Sequence, residues 1–392
     1  MRSAQAGTTL RRPLLRPLLP VAMGLLLMAC APEPRHHARG IVLGQLVETG
    51  VDSPLARAYV QAEAPLPPAA ELPAPADREG WRELAARTSL DAASLLLAAA
   101  IAAEPPNACW RAGYEARLAA LRAGHRPAVP DADALILAVP GWRYIANPAT
   151  GADLAGPRRL LGALGVANEL VATVENGSVL ENARIVAAAV RARANGRPLV
   201  LVSASKGGAE VAEALGHLLT PLEAQSVRAW VNVGGLLRGT ALADLATTWP
   251  TRWLAALHFA IEGIAPGDGV SSLRTDVSDA RLARQTLPAG LRVVNYIGIP
   301  LSGHIERHTA FGYRQLARYG PNDALTPIAD ALAHGGVTIA EIGLDHYFAD
   351  PEIDLKTVAL ALLVLEEVAY GAAACPRPTG PSRLGRGPAS GR

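Results

Sequence analysis

Between about residue 131 and residue 375, apolar runs of strand length alternate with helical segments. The runs cover 134–139, 170–174, 198–203, 229–233, 292–299 and 337–342. They are continuous rather than alternating and rich in β-branched residues, which suits strands buried on both faces of a parallel sheet. The helices between them have legible ends. Ser178 followed by Glu181 forms a capping box ahead of 179–194, and Asn195-Gly196 stops that helix. Val211, Ala214 and Leu215 share one side of a helix that opens after Ser205. Strand–helix alternation with short links predicts an α/β fold, a mostly parallel central sheet flanked by helices. Residues 236–289 interrupt it with Trp249, Trp253, Leu254, Leu257, Phe259 and Ile261. Such an apolar insertion is either a lid over a substrate cleft or a packed helical excursion.

Upstream the pattern changes. Leu84, Leu90, Ala93, Leu95 and Leu96 mark one amphipathic stretch, and Tyr114, Leu118 and Leu121 another, with Pro105-Pro106 between them. Residues 79–130 are therefore predicted to be helical, as an N-terminal extension or a cap. Residues 30–78 are rich in proline and alanine with little periodicity, and are expected to be an exposed linker. Residues 376–392 have the composition of a disordered tail.

The first residues differ in kind. Arg11, Arg12 and Arg16 precede an apolar run that ends in Leu27-Met28-Ala29-Cys30. A basic head, a short apolar stretch and a small residue before the cut make 1–29 an export signal, too short for a stable span. The last four residues resemble the lipobox of bacterial lipoproteins. That resemblance implies cleavage before Cys30, diacylation of Cys30 and lipid anchoring in the cell envelope, with Ala31 favouring the outer membrane. An ordinary signal peptide with a chance cysteine is the alternative. In an oxidising compartment the even pair Cys109 and Cys375 is expected to form a disulfide, two buried free thiols being the other possibility.

Composition narrows the function classes. Half of the 392 residues are hydrophobic, enough for a sizeable core. The net charge is +2 and no Lys/Arg stripe with interleaved aromatics occurs, which excludes an electrostatic case for nucleic acid. No cysteine has metal-ligand spacing with a histidine, so no metal site is expected.

The candidate chemistry lies in Ser203-Ala204-Ser205-Lys206-Gly207-Gly208, directly after the third strand and at the start of a helix. A nucleophile on so tight a turn needs small residues two positions away on each side, and Ser203 and Gly207 supply them. The helix N-terminus adds N–H groups and a positive dipole end where an oxyanion would form. This segment resembles the G-x-S-x-G nucleophile elbow of the α/β-hydrolase family, departing from it at Ser203, where glycine is usual. In the family's chain order of serine, acid and histidine, His346 in the loop after the last strand is the expected base. Asp323, in the turn Gly320-Pro321-Asn322-Asp323, is the expected acid, although helix capping requires the same residue type. Asp345 and Glu306 are the fallback acids. Val139-Pro140-Gly141-Trp142 occupies the place of the family's His-Gly-X sequence, so the resemblance makes the backbone N–H groups of Trp142 and Lys206 the oxyanion-hole donors. The alternative for Trp142 is simple packing.

The resemblance covers residues 131–372 and implies the α/β-hydrolase fold. It also implies a serine hydrolase that cleaves a carboxylic ester, as esterases and lipases do, with no cofactor. A small-molecule or lipid ester is the expected substrate and the membrane the expected partner. Two rivals remain: an envelope lipoprotein that uses the same fold only to bind a ligand or partner, and a serine peptidase or amidase. The enzyme reading requires Ser205 Oγ within about 2.6–3.5 Å of His346 Nε2.

Overall fold

A computed structural model describes residues 33–125, 128–261, 267–371 and 375. The expected signal peptide, Cys30 and the tail 376–392 lie outside the described residues.

The central sheet has six parallel strands: β3 (Leu135–Val139), β4 (Asn168–Leu170), β5 (Leu199–Ala204), β6 (Val227–Val233), β7 (Arg292–Ile299) and β8 (Val337–Ile342). Their order across the sheet is β4-β3-β5-β6-β7-β8. The chain leaves β3 toward the β4 edge and returns to β5 on the other side of β3. That reversal opens a crevice beyond the carboxyl ends of β3 and β5, where ligands of open α/β sheets bind.

All six expected strands are present. The second is shifted: the ladder with β3 ends at Ala138 opposite Leu170, and its last hydrogen bond is Val171 N–H to Ala138 O at 2.8 Å. Side-chain alternation along each strand feeds two cores. Leu135, Leu137, Leu199, Leu201 and Trp230 pack on one face with Val186 and Val190 of the helix Val179–Arg193 and with Val211 and Leu215. Ile136, Val200, Val231, Tyr296 and Ile339 pack on the other with the helices Pro105–Arg122 and Ile353–Tyr370. Ser178 caps Val179–Arg193 by accepting the Glu181 N–H at 3.1 Å.

Two expectations for the N-terminal third need correction. Residues 33–78 are not a linker. They carry the antiparallel hairpin of β1 (His36–Val42) and β2 (Gln45–Val51), then the helix Pro54–Val60. Leu43 and Gly44, both at positive φ, make the two-residue turn. Ala38, Val42, Val47 and Val51 face inward onto Val60, Leu95 and Leu301. Apolar residues on one face of two short strands leave too weak a period to stand out beside proline-rich sequence. The helices expected between 79 and 130 are present as Arg78–Arg87, Leu90–Ala103 and Pro105–Arg122. They are not an extension: Trp110, Tyr114 and Leu118 fill the same core as β7 and β8. Cys109 and Cys375 are joined as a disulfide with Cα atoms 5.6 Å apart, which ties Pro105–Arg122 to the chain just after Ile353–Tyr370.

Residues 236–289 hold the short helices Ala241–Thr247, Arg252–Ile261, Gly267–Ser271 and Thr275–Leu282. Leu236, Ala243, Val270 and Leu273 pack on Val179 and Ala209 beside the elbow helix, as a packed excursion would.

Candidate active site

Ser205 lies between β5 and the helix Lys206–Glu213 at φ 53° and ψ −120°. An L-residue rarely adopts a positive φ, and the turn is fixed from several sides. Ser205 N–H donates to Val233 O at 2.9 Å, and Ser205 O accepts from Gly208 N at 2.9 Å and Leu236 N at 3.1 Å. The serine side chain caps nothing in its helix. Gly207 is required by close approach, since a Cβ there would lie 2.6 Å from Pro140 O. Ser203, where the family pattern has glycine, is fully buried and its Oγ accepts the Trp230 indole N–H at 2.8 Å. The extra hydroxyl is thus satisfied inside the core, away from the turn.

His346 Nε2 lies 2.9 Å from Ser205 Oγ, and His346 Nδ1 lies 2.7 Å from Asp323 Oδ2. A carboxylate can only accept, so Nδ1 carries the proton and Nε2 is the acceptor for the serine hydroxyl. Asp323 also serves the turn. Its other oxygen accepts from Leu325 N at 2.9 Å and Thr326 N at 2.8 Å. Turn capping and histidine orientation, which looked like competing roles, use separate oxygens of one carboxylate. The two loops are joined again by His346 N–H donating to Asp323 O at 2.9 Å. The fallback acids are elsewhere: Asp345 accepts from Tyr347 N, and Glu306 is exposed beside His308.

The stretch between Ile299 and Asp323 is long because it is a structured excursion held by Asp91. One Asp91 oxygen accepts from Ser302 N at 2.8 Å and Tyr313 Oη at 3.3 Å. The other accepts from Ser302 Oγ at 2.6 Å and Asp52 N at 2.7 Å. Asn322 Nδ2 then donates to Tyr313 O at 3.4 Å, next to the acid itself.

The backbone at 141–142 passes close to the serine, a Cβ on Gly141 being 3.3 Å from Ser205 Cβ. The Trp142 indole does pack, edge-on to Phe259, and its N–H donates to Asn176 Oδ1 at 2.8 Å. Lys206 is buried, with its ammonium on Glu210. Burial pushes the Glu210 carboxyl above its usual range, against the pull of Lys206. Glu210 also accepts from Asn182 Nδ2 at 2.8 Å, and Asn182 holds both polar groups of the Val174 backbone at 2.9 Å. This network links the elbow helix to the 174–178 loop that positions Trp142. Sequence reading missed it, because Asn176, Asn182 and Glu210 belong to no local motif.

Beside Ser205 lies an open-mouthed cavity of about 480 Å³, lined in part by Trp142, Arg143 and His346. No described residue of the 236–289 excursion lines it. Among the described residues no cluster of side chains suited to a metal ion occurs.

The fold has counterparts among solved structures. A metagenomic carboxyl esterase is similar at 24% identity and a TM-score of 0.50, over 62% of this chain and 78% of that one. The fold is that of the α/β-hydrolases. A Bacillus licheniformis lipase in its mature form is 22% identical over 60% of this chain and 93% of its own, with a TM-score of 0.47. Neither protein-family models nor curated proteins give a match to the chain. Within the α/β-hydrolase fold, Ser205, Asp323 and His346 come from the loops after β5, β7 and β8.

Proposed function

We propose that the chain is a serine hydrolase that cleaves carboxylic esters through an acyl-enzyme on Ser205. The observation that carries this reading is the continuous relay from Ser205 Oγ through His346 to Asp323 at the crevice beyond β3 and β5. His346 Nε2 takes the Ser205 proton as Oγ attacks the ester carbonyl, and Asp323 stabilises the imidazolium. The backbone N–H groups of Trp142 and Lys206 receive the oxyanion. The imidazolium then gives its proton to the departing alcohol oxygen. Water, deprotonated by the same nitrogen, releases the acid. The lipobox-like sequence ending in Cys30 supports placing this activity at a membrane surface in the cell envelope.

A fluorophosphonate probe tests the reading directly. Folded wild-type protein is expected to be labelled, and Ser205→Ala to lose both labelling and aryl-ester hydrolysis. A well-folded wild type that resists the probe would sink the enzyme reading in favour of a ligand-binding lipoprotein.

A further inference from the structure

The cavity has a shape that ester hydrolysis alone does not require. From a mouth above the strand ends, lined by the 142–152 and 346–348 loops, it runs on between the sheet and its helix layer. Its sheet wall is formed by Val200, Val202 and Ala204 of β5, with Ile136, Val231 and Val233 from the neighbouring strands. These are the side chains of one face of the sheet. The opposite wall comes from the helices Ala155–Ala163 and Ile353–Tyr370. Running from Ser205 to Val200, the slot follows five residues of strand, about 16 Å at about 3.3 Å per residue. Along the opposite wall, Ile353 to Leu365 spans about 18 Å of helix.

The deep end is closed. Ile136, Val200, Val364 and Leu365 are each at most 4% exposed. The walls carry little polarity. Lys356 also lines the slot, but its ammonium is held by Glu341 at 2.8 Å and Asp350 at 2.5 Å, leaving its aliphatic stem against the space. Of the polar lining residues, Arg143, Asn147 and Tyr347 belong to loops at the Ser205 end, Tyr296 stands on the sheet wall, and Asp354 and Thr357 lie near the start of the helix Ile353–Tyr370.

We infer that this slot holds the acyl chain of the substrate, an unbranched chain of about twelve carbons. With C–C bonds of about 1.5 Å, an extended chain advances about 1.3 Å per carbon, which matches the depth. The inference rests on the ester-hydrolase reading of Ser205 and names its substrate class. The order of steps assigns the acyl side rather than the alcohol side. The alcohol leaves first, while the acyl group is still bonded to Oγ. An alcohol chain in a closed slot would have to withdraw past the acylated serine, whereas one at the mouth leaves freely. The acyl chain, once cleaved by water, has no such obstacle.

The test measures kcat/KM on p-nitrophenyl esters from acetate to palmitate, and on methyl dodecanoate beside dodecyl acetate. The expected result is an optimum near dodecanoate, about tenfold or more above butyrate, and methyl dodecanoate preferred over dodecyl acetate by a similar factor. Ala361→Trp, which intrudes on the slot from the helix side, is expected to lower the dodecanoate-to-butyrate ratio by about tenfold or more. Val200→Phe makes the same intrusion from the sheet side should the first variant not fold. An optimum at acetate or butyrate, a preference for dodecyl acetate, or an unchanged ratio in a folded variant would overturn the slot assignment while leaving Ser205 as an esterase nucleophile. If no ester is turned over, the ester reading fails separately. Calorimetry of dodecanoic acid with Ser205→Ala then decides the slot: binding that Ala361→Trp weakens supports a chain-binding site, and no binding overturns it.

Discussion

Ser205 occupies backbone space that suits glycine, so its own conformation opposes folding. Positive φ at a residue with a Cβ costs on the order of 1 kcal/mol or more, and the surrounding hydrogen bonds hold it in place. Ser205→Gly is expected to abolish ester hydrolysis while raising the unfolding free energy by about 1 kcal/mol, measured by denaturant titration. Ser205→Ala retains the Cβ and gains no such relief. A Ser205→Gly protein no more stable than Ser205→Ala would show the turn to be unstrained. At this scale the sequence was informative where chemistry follows chain order. Ser205, Asp323 and His346 were picked out because each follows a strand in the chain order of the family that the elbow resembles. Asn176, Asn182 and Asp91 are not, because a buried polar residue gains its meaning from partners far away in the chain. The cause of the Ser203 departure was likewise hidden, since it is the Trp230 indole on the neighbouring strand.

Among the elements, the helix Leu90–Ala103 joins the N-terminal hairpin to the acid-bearing excursion through Asp91. Burial, reinforced by the nearby Asp52 charge, raises the Asp91 pKa to about 6. An unfolded aspartate titrates near 3.9, so the folded state binds the proton more tightly. That contribution to stability is full below about pH 4 and is lost as pH rises through about 6. Asp91→Asn does not titrate. The stability advantage of the parent over this variant is therefore expected to shrink by about 2–3 kcal/mol between pH 4 and pH 7.5. Denaturant midpoints at the two pH values check this, and a constant gap would show that Asp91 stays ionised throughout. The strands β5 to β8 were legible because a strand buried on both faces is mostly apolar, here interrupted only by single polar residues such as Asn232, Asn295 and Glu341. The hairpin was not, because only alternate residues are buried and Ile41 and Leu46 are exposed apolar residues that blur the alternation.

The molecule as a whole is closed by the disulfide, which joins residues 266 positions apart. It tethers the two helices that share a sheet face, one of which forms a wall of the slot. Cross-links that close loops of this size stabilise by about 2–5 kcal/mol, so the double variant Cys109→Ser/Cys375→Ser is expected to unfold correspondingly earlier in urea. An unchanged midpoint would show that the helix packing holds without the tether. The pairing was a reading of compartment and parity. The slot could not be anticipated at all, because a void leaves no mark on the pattern of apolar residues around it. That void has a consequence of its own. Where a sheet meets its helices, a domain is ordinarily solid, complete in its own side chains. Here part of a cavity of about 480 Å³ reaches into that interior, and a guest would finish it. While it stays, the guest is a part of the core that the chain does not encode, and each arrival and departure is a small act of folding and unfolding.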